Sequence, residues 1–370
     1  MKVAIVCDWL TNVGGAEKVL LAIHEIYPKA PIYTSQYNPK GIDWFAGADV
    51  RTGWLQHVPA KLRRVIPMLR QRYFDKLDLS DYDLVISVTG AEAKSVKCGP
   101  NTIHICYCHV PTQYYWQMYD DYVKNPGFGA LNPIVRTGFK AFVKPLKKAD
   151  FSAAQRPDYF VTISTYAAEM IKKYYKRDAA VIAPPVEIEK FAGTVKDVVK
   201  NTTSGGYVNF SRQVSWKRQD LAIKACIKAG KKLTLIGEGP EHDALVKAAS
   251  NFPLIEFKKQ MTTKELAEEL RQAKAFIFPS MEPFGIAPVE ALAAGCPVIA
   301  YREGGATDYI QDGKNGILFE KQTASSIAQA IERFERTKFD HKAVAKSAEE
   351  FDVKHFKRKL KEFIDEKMAK

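Results

Sequence analysis

The 370-residue sequence contains no uninterrupted apolar run of about eighteen residues, the minimum for a membrane-spanning helix, so no spanning segment is expected. Its apolar opening, Val3–Cys7, is stopped by Asp8 before a secretory signal core could form, which leads to the expectation of a cytoplasmic protein. Cysteine is scarce: Cys7, Cys98, Cys106, Cys108, Cys226 and Cys296 mostly sit inside apolar, strand-like runs, a setting for buried thiols and not for a disulfide framework. Low-complexity tracts are also missing, and with 46% apolar and 26% charged residues the composition is that of a folded globular chain. A chain of 370 residues exceeds what one hydrophobic core usually serves, so two domains are expected, with a single large α/β domain as the alternative.

Acidic residues are outnumbered. The 55 basic and 42 acidic side chains leave a net charge of +13, and the excess is local. The stretches KLRRVIPMLRQR (Lys61 to Arg72) and RTGFKAFVKPLKK (Arg136 to Lys148) each carry five cations and no acid, interleaved with apolar residues. Such a stretch reads either as a solvated basic helix face or as a surface for anionic lipid headgroups or a phosphorylated acceptor, because apolar insertion and Coulomb attraction then act together. No helix-turn-helix, zinc-finger or RNA-recognition signature accompanies the charge, so nucleic acid is not an expected partner.

The order of signals along the chain is strand, glycine turn, helix, and it occurs in two series, which predicts a doubly wound α/β fold with parallel sheets. KVAIVCD, YDLVISVTG, TIHICYCHV and YFVTIS read as buried strands of the first series; AEKVLLAIHEIY and TYAAEMIKKYY read as helices, the latter with Ser164 or Thr165 near its N-cap. The pattern restarts after VKDVVKNTTSGG with strands YVNFS, KLTLIG, LIEFK, AFIFPS and PVIAY between helical segments. The expected organisation is a Rossmann-like domain over residues 1–187, a linker at 188–205, a second Rossmann-like domain over 206–348, and a closing helix at 349–370 returning to the first domain. Ligands of open parallel sheets bind at the carboxyl ends of the strands, so the loops after these strands are expected to line a cleft between the domains.

The stretch SMEPFGIAPVEALAAGC sets Glu282 in a loop after a strand and Glu290 about one turn into a helix that starts near Ile286 and stops at Gly295. Backbone N–H groups around Phe284, Gly285 and Ile286 would point out of the helix start, where the macrodipole also favours an anion. A diphosphate there would leave Glu282 to reach groups on one side of it and Glu290 groups on the other. Sugar and ribose hydroxyls separated by a diphosphate have that arrangement.

With Glu, seven residues, Glu and a Phe-Gly after the first glutamate, EPFGIAPVE resembles the signature of the retaining GT-B glycosyltransferases of family 4. The resemblance implies that Glu282 contacts the transferred sugar and Glu290 the ribose. FSRQVSWKRQDLAIKA is similar to the family's donor-diphosphate motif, which implies that Arg212 and Lys217 neutralise the leaving group; fixed cations there stabilise developing charge more than the ground state. NVGGAEKVL resembles the family's first glycine loop, with Gly14 and Gly15 beside the donor phosphate, and CYCHVPTQYYW resembles a subgroup in which His109 lies near sugar and acceptor. That subgroup implies mannose from GDP-mannose as donor, a saccharide or polyprenyl-diphosphate-linked acceptor of surface polysaccharide assembly, and an enzyme resting on the inner face of the membrane. A UDP-sugar donor is the alternative. The implied reaction retains anomeric configuration and needs no cofactor and no metal ion, since Arg212, Lys217 and the helix start carry the charge. The chain departs from the family at Asp308, where glutamate is usual, and at Lys259 and Gln260, where a glycine often stands beside the nucleobase.

Other readings compete for some of these residues. His104, Cys106 and Cys108 alternate along one strand and could be metal ligands, but alternation along a buried strand equally gives a core stripe and no second cluster completes a ligand set. Gly14 and Gly15 lack the spacing of a dinucleotide loop, and Gly237 and Gly239 follow a strand in a pattern that the resembled family uses as a turn, so no nicotinamide site is expected. Asp81 and Asp83, and the pair Asp120 and Asp121, could suggest the metal-binding acids of single-domain glycosyltransferases, yet Asp81 and Asp83 precede a strand instead of following one. A non-catalytic sugar-binding protein on the same scaffold would have no reason to keep the leaving-group cations Arg212 and Lys217, and a hydrolysing epimerase would need additional carboxylates for proton abstraction in the N-terminal half, which the sequence does not identify.

Overall fold

The computed structural model describes residues 1–59, 67–124, 129, 132–193 and 205–369. Residue contacts divide the chain into two units, Met1–Pro184 with Phe356–Lys370, and Pro185–His355.

The first unit has strands β1 (Val3–Cys7), β2 (Ile32–Thr34), β3 (Val50–Arg51), β4 (Asp78–Leu79), β5 (Leu84–Thr89), β6 (Lys97–Cys98), β7 (Ile103–Cys108), β8 (Tyr159–Thr162) and β9 (Ala179–Val181). β4 and β6 pair only with each other, and the remaining seven form one sheet in the order β3-β2-β1-β5-β7-β8-β9. Every pairing in it is parallel. β1 and β5 are buried at every position, the burial that a parallel sheet covered by helices on both faces requires and that apolar runs without alternation encode. Its helices are α1 (Gly15–Ile26), α2 (Pro67–Asp75), α3 (Tyr119–Lys124), α4 (Asn132–Ala153) and α5 (Thr165–Tyr175). Of the two candidates for the N-cap of α5, Ser164 takes the role: its hydroxyl accepts from the Ala167 N–H.

The second unit has strands β10 (Tyr207–Phe210), β11 (Leu233–Ile236), β12 (Ile255–Lys258), β13 (Ala275–Phe278), β14 (Val298–Tyr301) and β15 (Gly316–Phe319) in the order β12-β11-β10-β13-β14-β15, all parallel. Helices α6 (Gln219–Ala229), α7 (His242–Ala249), α8 (Thr263–Gln272), α9 (Ile286–Ala293), α10 (Ala324–Arg336) and α11 (His341–Lys346) connect and flank them. α8 begins with a capping box in which Thr262 and Glu265 satisfy each other's backbone N–H groups. α9 ends in a Schellman motif: Gly295, at φ +76°, donates to the Leu292 carbonyl, and Cys296 donates to that of Ala291. The last helix, α12 (Val353–Met368), groups with the first unit from Phe356 onward, where the Phe356 ring meets Tyr107 edge to face at 5.8 Å.

Two sequence expectations change. GILF, not among the strands read from the sequence, is the edge strand β15, paired with β14 from Val298–Gly316 to Tyr301–Phe319. A four-residue apolar run beginning with glycine gives too weak a signal to separate strand from loop. The expected linker at 188–205 is in part a 3-10 turn, Ile188–Lys190, grouped with the second unit; residues 194–204 lie outside the described residues, as do 61–66 of the first basic stretch.

Candidate active site

In the second unit the chain runs outward from β10 to β12 on one side, then returns beside β10 and continues from β13 to β15 on the other. The loops leaving β10 and β13 therefore meet at the topological switch point, the crevice where open parallel sheets hold ligands. The first of these loops carries Arg212 and Lys217, and the second carries Glu282, Phe284 and Gly285. This convergence brings Lys217 Nζ to 2.6 Å from Glu282 Oε1, with both side chains about one-fifth exposed (20% and 19%). Ser280 Oγ donates to the same oxygen at 2.7 Å. Arg212 is exposed near the head of the β10 loop.

The glutamate loop is held from behind by the turn that follows β14. Gly305 N–H donates to the Glu282 carbonyl at 2.8 Å, and a Cβ on Gly305 would stand 2.1 Å from the Pro283 carbonyl oxygen, so only glycine permits this approach. Tyr309, 4% exposed, shares its hydroxyl proton between the carbonyls of Phe284 (2.8 Å) and Gly285 (3.0 Å), and its ring packs on Phe284 and Phe351. Burial, with the carboxylates of Glu282 and Asp308, holds this phenol well above its ordinary pKa, so the hydroxyl keeps its proton. Gly285 sits at φ +88° as the N-cap of α9, where no side chain caps the helix. Helix starts leave their first N–H groups without intrahelical partners, and these have the polarity to receive an anion. Pro288 is the third helical residue, a position where its missing N–H costs nothing. Glu290 lies in the same helix, 9% exposed among apolar neighbours in sequence.

Gly237 and Gly239 have a packing explanation. A Cβ on either would lie within 2.4 Å of a backbone oxygen, Ser211 for the first and Gln213 for the second. Gln213 Nε2 also donates to Gly237, so the loop after β11 braces the one that carries Arg212. Lys259 and Gln260 follow β12 and are exposed. Asp308, also exposed, ends the 3-10 turn Gly305–Asp308.

The first unit has its own switch point between β1 and β5. Gly14 is the N-cap of α1 and Gly15 its first residue, again with no side-chain cap. The φ of Gly14, −164°, is open to any residue, so backbone conformation does not demand glycine there. His109 follows β7 directly; it is half-buried, its Nε2 has no hydrogen-bond partner among the described residues, and burial lowers its pKa to about 4. The ring is thus neutral near pH 7 and can exchange hydrogen bonds with a hydroxyl.

Sequence reasoning missed the polar frame around these loops. Asp8 accepts from Thr89 Oγ1 and from the N–H groups of Gly90, Ala91 and Ala93, which ties the end of β1 to the loop after β5. Buried Arg70 forks onto Glu92, which also accepts from Tyr114. Asp150, at the end of α4, accepts from Lys94 (2.6 Å), Thr112, Trp116 and Tyr175. Burial opposes the Lys94 charge, and the adjoining Asp150 carboxylate more than offsets it, holding the ammonium well above its ordinary pKa. Tyr114 and Trp116 thus serve this frame, Tyr115 is buried at 2%, and Tyr119 packs on Phe139.

All six cysteines are unpaired, and Cys106 and Cys108 belong to the core with Phe160, Ile171 and Tyr175. His104 Nε2 lies 2.8 Å from Ser87 Oγ, and among the described residues no three His, Cys, Asp or Glu side chains assemble as a ligand set.

Residues 194–351 match the family model of the glycosyl transferases, group 1. The matched residues fall within the second unit. A likeness to solved structures covers the fold of the whole chain. The lipopolysaccharide outer core galactosyltransferase WaaB superposes with a TM-score of 0.72 at 17% identity, over 99% of this chain and 100% of that one. The Anabaena protein HepE, crystallised with UDP, gives 0.68 at 19% identity over 99% and 100%. The architecture is GT-B, with two Rossmann-like units built on parallel sheets. Sequence relatives include an uncharacterized glycosyltransferase of Methanocaldococcus jannaschii, 26% identical over 55% of this chain and 56% of that protein. The GDP-mannose-dependent alpha-(1-6)-phosphatidylinositol monomannoside mannosyltransferase of Mycolicibacterium smegmatis is 31% identical over 34% of this chain and 37% of that protein. The matches thus span about half of the first of these curated relatives and about a third of the second.

Proposed function

We propose that this chain transfers a hexose from a nucleoside diphosphate sugar to a saccharide or lipid-linked saccharide hydroxyl, with retention at the anomeric carbon. The observation that carries the reading is the meeting of Lys217 and Glu282 at the switch point, in the loops that flank the uncapped start of α9. In the reaction the bond from the anomeric carbon to the diphosphate oxygen breaks, the acceptor oxygen bonds to that carbon on the same face, and the acceptor proton passes to the departing phosphate. Arg212, Lys217 and the N–H groups of Gly285 and Ile286 take up the charge on the diphosphate, which is why no metal ion is required. Glu282 binds sugar hydroxyls and Glu290 binds the ribose; in the first unit, neutral His109 and the uncapped helix start at Gly14 and Gly15 are the groups offered to a hydroxyl and a phosphate. Activity that survives EDTA is the expected outcome, and dependence on manganese would overturn this account.

GDP-mannose is the first donor to test, in line with the mycobacterial relative; a UDP sugar is the second, in line with the UDP held by HepE. A thermal-shift panel of GDP, UDP, ADP and their sugar conjugates separates them, since a ligand of the folded state alone raises Tm by mass action. Stabilisation by GDP ligands supports mannose, and stabilisation by UDP ligands replaces it. No response to any nucleotide would favour a non-catalytic protein.

The polyprenyl-linked acceptor accords with α4. Lys140, Lys144 and Lys148 recur every fourth residue on its exposed side, with Ile134 (71%) and Phe142 (59%) also exposed, and among the described residues no helix is long and apolar enough to cross a membrane. We place this helix, with the basic stretch at 61–72, on the anionic inner face of the membrane. Salt-sensitive flotation with anionic but not neutral vesicles is expected, and absence of binding would remove the placement.

A further inference from the structure

We propose that Tyr309 is a positioning residue for the donor diphosphate: its buried hydroxyl sets the orientation of the two peptide planes whose N–H groups receive the phosphate. The inference rests on the donor site proposed above and adds a residue that makes no contact with the donor. Tyr309 shares its one hydroxyl proton between two successive carbonyls, Phe284 at 2.8 Å and Gly285 at 3.0 Å, in a three-centre hydrogen bond. The chain has no cis peptide bonds among the described residues, and a trans peptide holds its C=O and N–H antiparallel across one rigid plane. Drawing the Phe284 carbonyl toward Tyr309 therefore turns the Gly285 N–H away from it. The Gly285 carbonyl does the same for the Ile286 N–H. Both donors then face the side opposite the buried phenol, at the start of α9.

The phenol is itself fixed. Its ring lies against Phe284 (5.3 Å between centroids) and Phe351 (5.7 Å), its own carbonyl accepts from Asn315 Nδ2, and the preceding turn is anchored by the Gly305 N–H on Glu282. A Cβ on Gly285 would come within 3.0 Å of the Tyr309 oxygen and 2.8 Å of the Phe278 ring, and the φ of +88° adds a second requirement for glycine. The loop is thereby set from one side by glycine and from the other by the hydroxyl. Phe284 and Ile286 leave no polar side chain to do this work.

The Tyr309→Phe variant keeps the ring and removes only the hydroxyl. Affinities of wild type and variant for the nucleoside diphosphate that binds best, and for the corresponding nucleoside, are compared by competition. The expected result is a loss of about tenfold for the diphosphate, the scale of one hydrogen bond to a charged group, with nucleoside affinity unchanged. Phe351→Leu loosens the same ring stack but leaves the hydroxyl, so it should lower Tm and keep the diphosphate-to-nucleoside ratio. A Tyr309→Phe protein with lower Tm and an unchanged ratio, or a Phe351→Leu protein with an equally altered ratio, would reduce Tyr309 to packing. A readout on the wild type needs no variant: diphosphate, and not nucleoside, should slow amide exchange at Gly285 and Ile286, and lack of that protection would overturn the inference. A wild type that binds no nucleoside diphosphate fails at an earlier step, removing the donor-site reading and this inference with it.

Discussion

Lys217 Nζ and Glu282 Oε1 lie 2.6 Å apart although 65 positions separate them in the chain. Each residue has a distinct proposed task, one on the leaving diphosphate and one on the sugar, yet without ligand they neutralise each other. A diphosphate must therefore compete with Glu282 for the ammonium. Glu282→Gln is expected to bind the free nucleoside diphosphate about three- to tenfold tighter, the scale on which a partly exposed ion pair competes, while turnover falls at least about 100-fold. Weaker binding of the diphosphate by this variant would mean that the glutamate positions Lys217.

Removing the cation should act on the reaction more than on the ground state, because leaving-group charge grows in the transition state. Lys217→Ala should lower kcat by roughly 100- to 1,000-fold, whereas Glu290→Ala should chiefly raise the donor KM. Steady-state kinetics with varied donor separates the two, and equal residual kcat in both variants would contradict the division of roles.

His104 and His109 are both held neutral by burial, with pKa values lowered to about 3 and about 4, and the Arg156 and Arg177 charges add to the effect on His104. An unfolded histidine titrates near 6.5, so below that pH the unfolded state binds more protons than the folded one and stability falls with pH. For fully buried His104 the loss should reach roughly 1–2 kcal/mol between pH 6.5 and pH 5. Urea unfolding followed in the first unit at both pH values checks this, and His104→Gln should flatten the slope. A stability independent of pH over that window would contradict neutral burial.

Asp150 answers the buried Lys94 charge and three neutral donors. Replacing it by alanine leaves an uncompensated buried ammonium and should destabilise the protein by about 3–5 kcal/mol, while the double change Lys94→Met with Asp150→Ala should recover a large part of that. Chemical unfolding of the two variants decides the matter: a double variant no more stable than Asp150→Ala would show that the carboxylate serves mainly its neutral donors.

Much of this protein was set by local sequence. Short, largely apolar runs such as LVISVT and AFIF, bounded by turn residues, read as strands buried on both faces, Ser164 and Thr262 mark helix starts through their hydroxyls, and Gly295 stops α9 because it reaches φ +76° without strain. The interval from Glu282 to Glu290 likewise follows from a loop running into a helix. Strand order is a different kind of fact, because it depends on which runs pair across the sheet, and it alone puts the loops after β10 and β13 side by side. That adjacency joins Lys217 to Glu282. Tertiary packing also made Gly237 and Gly239 braces for the Arg212 loop, drew GILF into the sheet edge, and gathered four donors on Asp150 from distant positions. These contacts satisfy groups whose partners lie tens of residues away, and a linear pattern with a period of two or of 3.6 carries no information about them.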